Sequence, residues 1–288
     1  MNTYKRTETH PIDKSVHMTL DRYSGEGPPI LLLHGIPGTR RTWGAVADRL
    51  CPTHAVIVPD LLGFGGSSEP PDDRHAPGQA VAMLELLNRL GIADIHLVGF
   101  DFGGPVALTM YRAQPARFGS LTLVATNAFT DTPVPLGLKV ARVPVAGEAV
   151  FSFMCSRAGL AMLWLPGVGD KRALPWHAFR ASLPDARGRM WTRRIFLDSL
   201  RHLHSRYEPI EATLARVTCP TAVVWGDRDP FFPVNVGERT GQAITGSTFH
   251  LLRGCGHFIP QERPEALAAV ILATAGEART GRRAHVAG

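Results

Sequence analysis

Three short segments carry residues able to act together in catalysis. Gly99-Phe100-Asp101-Phe102-Gly103-Gly104 follows a buried apolar run, Ile95 to Val98, and precedes a helical stretch from about Gly104 to Ala113. A strand-to-helix turn sharp enough to expose its central side chain needs small residues two before and two after it, and Gly99 and Gly103 meet that need. The central Asp101 has an ordinary pKa of about 3.9, so it is charged at neutral pH and needs no base to activate it. Such a carboxylate can displace a leaving group from saturated carbon and form an ester with the enzyme. The plain alternative is a turn aspartate that caps the next helix.

Two downstream segments supply partners. Trp225-Gly226-Asp227-Arg228-Asp229-Pro230 and Gly254-Cys255-Gly256-His257-Phe258 each follow a short apolar run. Both therefore belong at the carboxyl ends of strands, where chemistry in open α/β sheets gathers. Asp229 can accept a hydrogen bond from one nitrogen of His257 and stabilise its cation, leaving the other nitrogen to take a proton from water. Asp227, two positions earlier, is the rival acid.

The elements that must position these residues alternate strand and helix, which implies a mostly parallel sheet covered on both faces. Strands are expected at Pro29 to His34, Ala55 to Val58, Ile95 to Val98, Leu121 to Ala125, Thr221 to Trp225 and Phe249 to Leu252. A helix is expected over Pro77 to Leu90, with Val81, Leu84, Leu87 and Leu90 on its apolar face and Gly91 as its stop. Another is expected over Pro264 to Leu272. From Phe129 to Thr213 β-rich runs disappear and Trp, Arg and Pro are scattered, so this stretch reads as an inserted helical lid. The division expected is a core over 1–128 and 214–276, a lid over 129–213 and a disordered tail over 277–288.

Composition removes other classes. The 288 residues suit one large α/β domain with an insertion. The net charge of +6 comes from scattered arginines, some in the tail (Arg279, Arg282, Arg283), so no nucleic-acid partner is expected. The four cysteines lack zinc or C-x-x-C spacing and read as reduced thiols. No apolar run is long enough to span a bilayer and Met1 to Ile12 lacks a secretory apolar region, so no membrane contact and a cytoplasmic location are expected.

The chain resembles the α/β-hydrolase superfamily, specifically the aspartate-nucleophile branch of epoxide hydrolases and haloalkane dehalogenases. The matching segments are H-G-I-P-G, P-D-L-L-G-F-G-G-S, G-F-D-F-G-G, W-G-D-R-D-P and G-C-G-H-F, from His34 to His257. The resemblance implies an α/β-hydrolase fold and a triad of Asp101, Asp229 and His257 in the family's chain order. It implies backbone N–H donors at Ile36 and Phe102 for the charge that develops when water opens the ester. It also implies a cis bond before Pro37. Asp60 reads as a loop-shaping residue, and Asn127 stands where some relatives carry the acid.

The leaving group separates the activities. Epoxide hydrolases protonate the departing oxygen from lid tyrosines or a tyrosine and a histidine. Of four tyrosines, Tyr4 and Tyr23 precede the core and Tyr111 belongs to the helix after the elbow, which leaves Tyr207 as the lid donor. Trp164, Trp176 and His177 are candidates for the substrate pocket. Haloalkane dehalogenases usually carry Trp after the nucleophile, where this chain has Phe102. The expectation is an epoxide hydrolase acting on a small, largely apolar substrate, without metal or cofactor, and compatible with a homodimer. The alternatives are a haloalkane or haloacid dehalogenase with the same triad, or a non-hydrolytic or catalytically dead ligand-binding relative.

Overall fold

Alternate residues of a strand point to opposite faces of its sheet, so a strand buried on both sides must be apolar throughout. The central strands of this protein follow that rule with few exceptions, such as the buried His96 and Ser120, whose side chains bond to each other at 2.8 Å. The computed structural model describes residues 5–70, 75–132, 134, 138–140 and 143–286, with side chains to residue 278. Its strands are β1 (Lys5–Pro11), β2 (His17–Tyr23), β3 (Gly27–Leu33), β4 (His54–Pro59), β5 (Ile95–Phe100), β6 (Phe118–Val124), β7 (Thr221–Gly226) and β8 (Thr248–Leu252). They form one sheet in the order β1-β2-β4-β3-β5-β6-β7-β8. From β4 to β8 all pairings are parallel, whereas β1 and β2 form an antiparallel hairpin at one edge.

Leu31 and Leu33 of β3 enter one core cluster while Ile30 and Leu32 enter the other, and Val223 and Val224 of β7 divide in the same way. Helices α1 (Gly44–Leu50), α2 (Ala76–Arg89) and α3 (Gly103–Ala113) lie in the first half of the chain. Five helices follow β6: α4 (Ala146–Met154), α5 (Arg157–Gly167), α6 (Trp176–Ser182), α7 (Ala186–Arg201) and α8 (Leu203–Leu214). The chain closes with α9 (Val234–Ala243), α10 (Ile259–Glu262) and α11 (Pro264–Val286). Residues of α1 and α11 pack on one sheet face, and residues of α2, α3, α8 and α9 on the other.

The elements between β6 and β7 are helical and sit over the carboxyl ends of the strands. Trp191 of α7 is buried against Gly63, where a Cβ would lie 2.7 Å from the indole Cγ and where φ is +89°. Only glycine suits both the space and the backbone there. Arg187 donates to the carbonyls of Gly65 and Ser67 at 3.1 and 2.8 Å, and Asp198 pairs with the buried His75.

Several expectations need correction. The hairpin of β1 and β2 is not announced by apolar residues, because an edge strand is stabilised by cross-strand polar pairs such as Thr7 with Asp21 and Thr9 with Thr19. Tyr23, read as preceding the core, is buried inside β2; Tyr4 lies outside the described residues. On α2 the buried face is Ala80, Met83, Leu84 and Leu87, and Val81 is 69% exposed. Residues 277–286, expected to be disordered, continue α11 as far as Val286, where alanines and arginines favour helix.

Candidate active site

The turn after β5 takes the sharp form its glycines permit. Asp101 adopts φ +50°, a left-handed conformation that costs a non-glycine residue roughly 1–3 kcal/mol. Surrounding bonds hold it there: its N–H donates to Val124 O at 3.1 Å, and its carbonyl accepts from Thr126 Oγ1 at 2.6 Å and from Gly104 N at 3.0 Å. A Cβ on Gly99 would lie 2.5 Å from the Gly103 carbonyl oxygen, so the turn closes only without side chains.

The loop after β3 meets this turn. Ile36 N–H donates to Asp101 Oδ1 at 2.7 Å, beside a cis Ile36–Pro37 bond. His34 fixes the loop from beneath. Its Nδ1 donates to the Gly35 carbonyl at 2.8 Å, so Nε2 must accept from Leu61 N at 3.0 Å. Burial lowers the pKa of His34, consistent with this neutral tautomer. Asp60 takes Arg40 N at 2.8 Å and Gly66 N at 2.9 Å and pairs with the Arg40 side chain, a loop-shaping role.

The loops after β7 and β8 supply the other two groups. His257 Nδ1 lies 2.8 Å from Asp229 Oδ2, and its Nε2 lies 3.6 Å from Asp101 Oδ2. Asp229 Oδ1 accepts from Phe231 N at 2.8 Å and Phe232 N at 3.1 Å, which orients the carboxylate toward the ring. Asp227 faces away, accepting from Cys255 N at 3.3 Å, so Asp229 and not Asp227 pairs with the histidine. Burial alone would lower the His257 pKa. The Asp229 carboxylate on one side and Asp101 on the other outweigh it and push the value up to about 10.

Glu262 is a part of the site that residue types did not flag. This buried carboxylate on α10 accepts Gly256 N at 3.1 and 3.2 Å and Asp170 N at 2.8 Å. It thus ties the loop bearing His257 to the loop after α5. His257 N–H adds a second tie by donating to Gly167 O at 2.8 Å. The available signal was position, five residues after the histidine in H-F-I-P-Q-E.

Above Asp101 and His257 lies a cavity of about 180 Å³ between sheet and helical layer. Its walls are mainly apolar, including Phe102, Leu160, Phe196 and Leu203, and among the described residues no lysine or arginine lines it. Tyr207 of α8 and Asn127 after β6 face the same space. Apolar burial and then the Asp101 carboxylate drive the Tyr207 pKa upward, so its phenol keeps its proton; the Asn127 amide acts weakly the other way. Among the described residues no group of His, Cys, Asp or Glu could hold a metal ion.

The structure therefore brings together Asp101, Asp229, His257, Ile36, Phe102 and Tyr207. Among the described hydrogen bonds, Ile36 N–H binds the Asp101 carboxylate and Phe102 N–H does not. Trp164, Trp176 and His177, expected in the pocket, are not among its walls. Trp164 donates its indole N–H to Leu174 O at 2.9 Å and stacks edge-on against Trp176, which packs on Phe179, while His177 is exposed. These aromatics bind the helical layer to the core near Phe258 instead.

Comparison with known proteins identifies the family and the fold. The model of the alpha/beta hydrolase family matches residues 30–270. This chain belongs to that family. Lipase 3 of Moraxella sp. is 29% identical over 250 residues, covering 85% of this chain and 76% of that protein. Two solved members show the shared fold. The haloalkane dehalogenase DbeA from Bradyrhizobium elkani is 20% identical with a TM-score of 0.80, covering 96% of this chain and 100% of that one. The epoxide hydrolase CorEH is 17% identical with a TM-score of 0.76, covering 94% and 98%.

Proposed function

We propose that the protein is a hydrolase that works through a covalent ester on Asp101 and opens epoxides to diols. The observation that carries this reading is the carboxylate at the elbow, with Oδ1 anchored by Ile36 N–H and Oδ2 turned toward His257. A serine at this position would need His257 as its base from the start. A carboxylate leaves that histidine for the second step.

In the first step Asp101 attacks the less hindered ring carbon. A carbon–oxygen bond to the enzyme forms, the epoxide bond breaks, and the alkoxide takes the Tyr207 proton. In the second step His257 removes a proton from water, and the hydroxide attacks the carboxyl carbon of the ester. The N–H groups of Ile36 and Phe102 hold the resulting oxyanion. Collapse breaks the ester bond, and the departing alkoxide takes the proton of the carboxylic acid so formed, which releases the diol and restores the Asp101 carboxylate. The proton that His257 gave up on alkylation restores the Tyr207 phenol, and the ring keeps the one taken from water.

Charge orders these steps. Before reaction, two carboxylates keep His257 protonated. Ester formation removes the charge of Asp101, which lowers the histidine pKa and frees the ring to act as a base. Alkylation thereby switches on the group needed for hydrolysis.

Epoxide is favoured over halide by what faces the cavity. A departing halide needs N–H donors, yet Phe102 and Ile36 carry apolar side chains, neither Trp164 nor Trp176 lines the space, and the Asn127 amide donates to the Phe129 carbonyl at 3.1 Å. A haloacid would need a cation, and among the described residues none lines the cavity. The absence of lysine and arginine there favours a neutral, apolar substrate. A product assay with one neutral epoxide, one alkyl halide, one haloacid and one carboxylic ester tests the assignment. Diol from the epoxide at the highest kcat/KM supports it, and preferred turnover of any other substrate, or none at all, contradicts it.

A further inference from the structure

Seven large apolar side chains among the described residues are strongly exposed, and six fall between Val143 and Leu165. Val145 is 81% exposed, Leu165 60%, Met162 58%, Phe153 55%, Val143 51% and Val150 38%. They occupy the outer faces of α4 and α5 and the residues just before α4. The inner faces of the same helices, through Phe151, Met154, Leu160 and Leu163, line the catalytic cavity. Helices apolar on both faces need a partner other than water on the outside.

Charge at the border identifies that partner. Arg157 opens α5, Lys171 lies over the ring of Trp164 on α5, and Lys139 and Arg172 flank the two helices in sequence; all four are exposed. Lys139, Arg157 and Arg172 make no ion pair among the described residues, whereas the nearby acids Glu148 and Asp170 are paired with Arg201 and Arg263. The patch is thus an apolar surface rimmed by unneutralised cations. A second copy of the chain docked symmetrically would set these cations against each other. An anionic lipid surface would satisfy both the apolar centre and the basic rim.

We infer that α4 and α5 dock the protein on the surface of anionic membranes, with the cavity mouth held beside the phase in which apolar substrates concentrate. Docking of this kind is peripheral. Among the described residues no single helix is long and apolar enough to cross a membrane; α4 and α5 reach that length and apolarity only together, and a 72° bend separates them. The sequence-based expectation of no membrane contact considered only spanning helices and signals, which surface docking does not require.

The test is co-sedimentation with vesicles of phosphatidylcholine, with and without phosphatidylglycerol. The full chain should sediment with the mixed vesicles and release as salt rises. Phe153→Asp with Leu165→Asp should weaken that binding by about tenfold or more, because both side chains would enter the acyl boundary. Arg157→Glu should weaken binding to mixed vesicles and leave the remaining affinity for neutral ones unchanged. Unaltered far-UV melting curves establish that the variants fold. No sedimentation with either vesicle, or undiminished binding by the aspartate variant, overturns the inference. So does a dimer of the free protein that the same substitutions dissociate. Vesicle binding is read without turnover, so it stands or falls independently of the chemistry assigned to Asp101.

Discussion

Asp101 and Asp229 flank one imidazole, and their neighbours give them different duties. Asp229 is fixed by two backbone N–H groups and has no opening to the cavity, so it orients and charges His257. Asp101 has one oxygen bound and one exposed to the cavity, as a nucleophile requires. His257→Gln should let the ester form but stop its hydrolysis, giving one equivalent of product-linked enzyme by intact mass; steady turnover would contradict the role. Tyr207→Phe should reduce epoxide opening about 10²–10⁴-fold, the usual worth of a positioned acid, while alkyl halide turnover, if any, changes far less. The meeting of Asp101, Asp229 and His257 was legible because each follows a strand in a glycine-containing loop. Trp164, Trp176 and His177 misled because residue type does not reveal which face of an inserted helix meets the cavity.

The elements that carry the site differ in how openly they declare themselves. β3, β5, β6 and β7 are predominantly apolar because parallel neighbours and helices bury them on both faces, and their order in the sequence was readable. β1 and β2 were not, since β1 is an edge strand held by paired polar side chains and the buried β2 mixes Met18, Leu20 and Tyr23 with Thr19 and Asp21. Short helices such as α1 and α9 were also missed; α9 packs on Trp225 through Gly237, a contact invisible in a local pattern. The loops are joined by Glu262, whose carboxylate accepts from two of them. Glu262→Gln would set an amide against backbone N–H groups and forfeit a charged acceptor, a loss of about 1.5–3 kcal/mol for such a bond. The expected result is a lower melting temperature and a preserved burst, with slowed ester hydrolysis in presteady-state traces. Equal slowing of both steps would place its effect elsewhere.

At the scale of the molecule, one sheet and one helical layer enclose a charged pair of groups in an apolar chamber. The enclosure couples stability to pH through His257. The folded protein binds this proton up to about pH 10, whereas an unfolded imidazole releases it near 6.5. The stabilisation is therefore complete below about pH 6.5 and is lost as pH rises through about 10. The melting temperature should fall over that interval, and His257→Gln should flatten the decline; parallel slopes would show that other groups cause it. The fold and the triad loops follow from patterns short enough to read along the chain. The cavity walls do not, because they depend on how α4 to α8 lie over the sheet.

The central claim is that Asp101 bonds to carbon before water takes part. A single turnover of excess enzyme with an epoxide in ¹⁸O-water tests it most directly. The account predicts unlabelled diol in that first turnover, with ¹⁸O found afterwards in the peptide that contains Asp101. Label in the first diol and none in that peptide would contradict it.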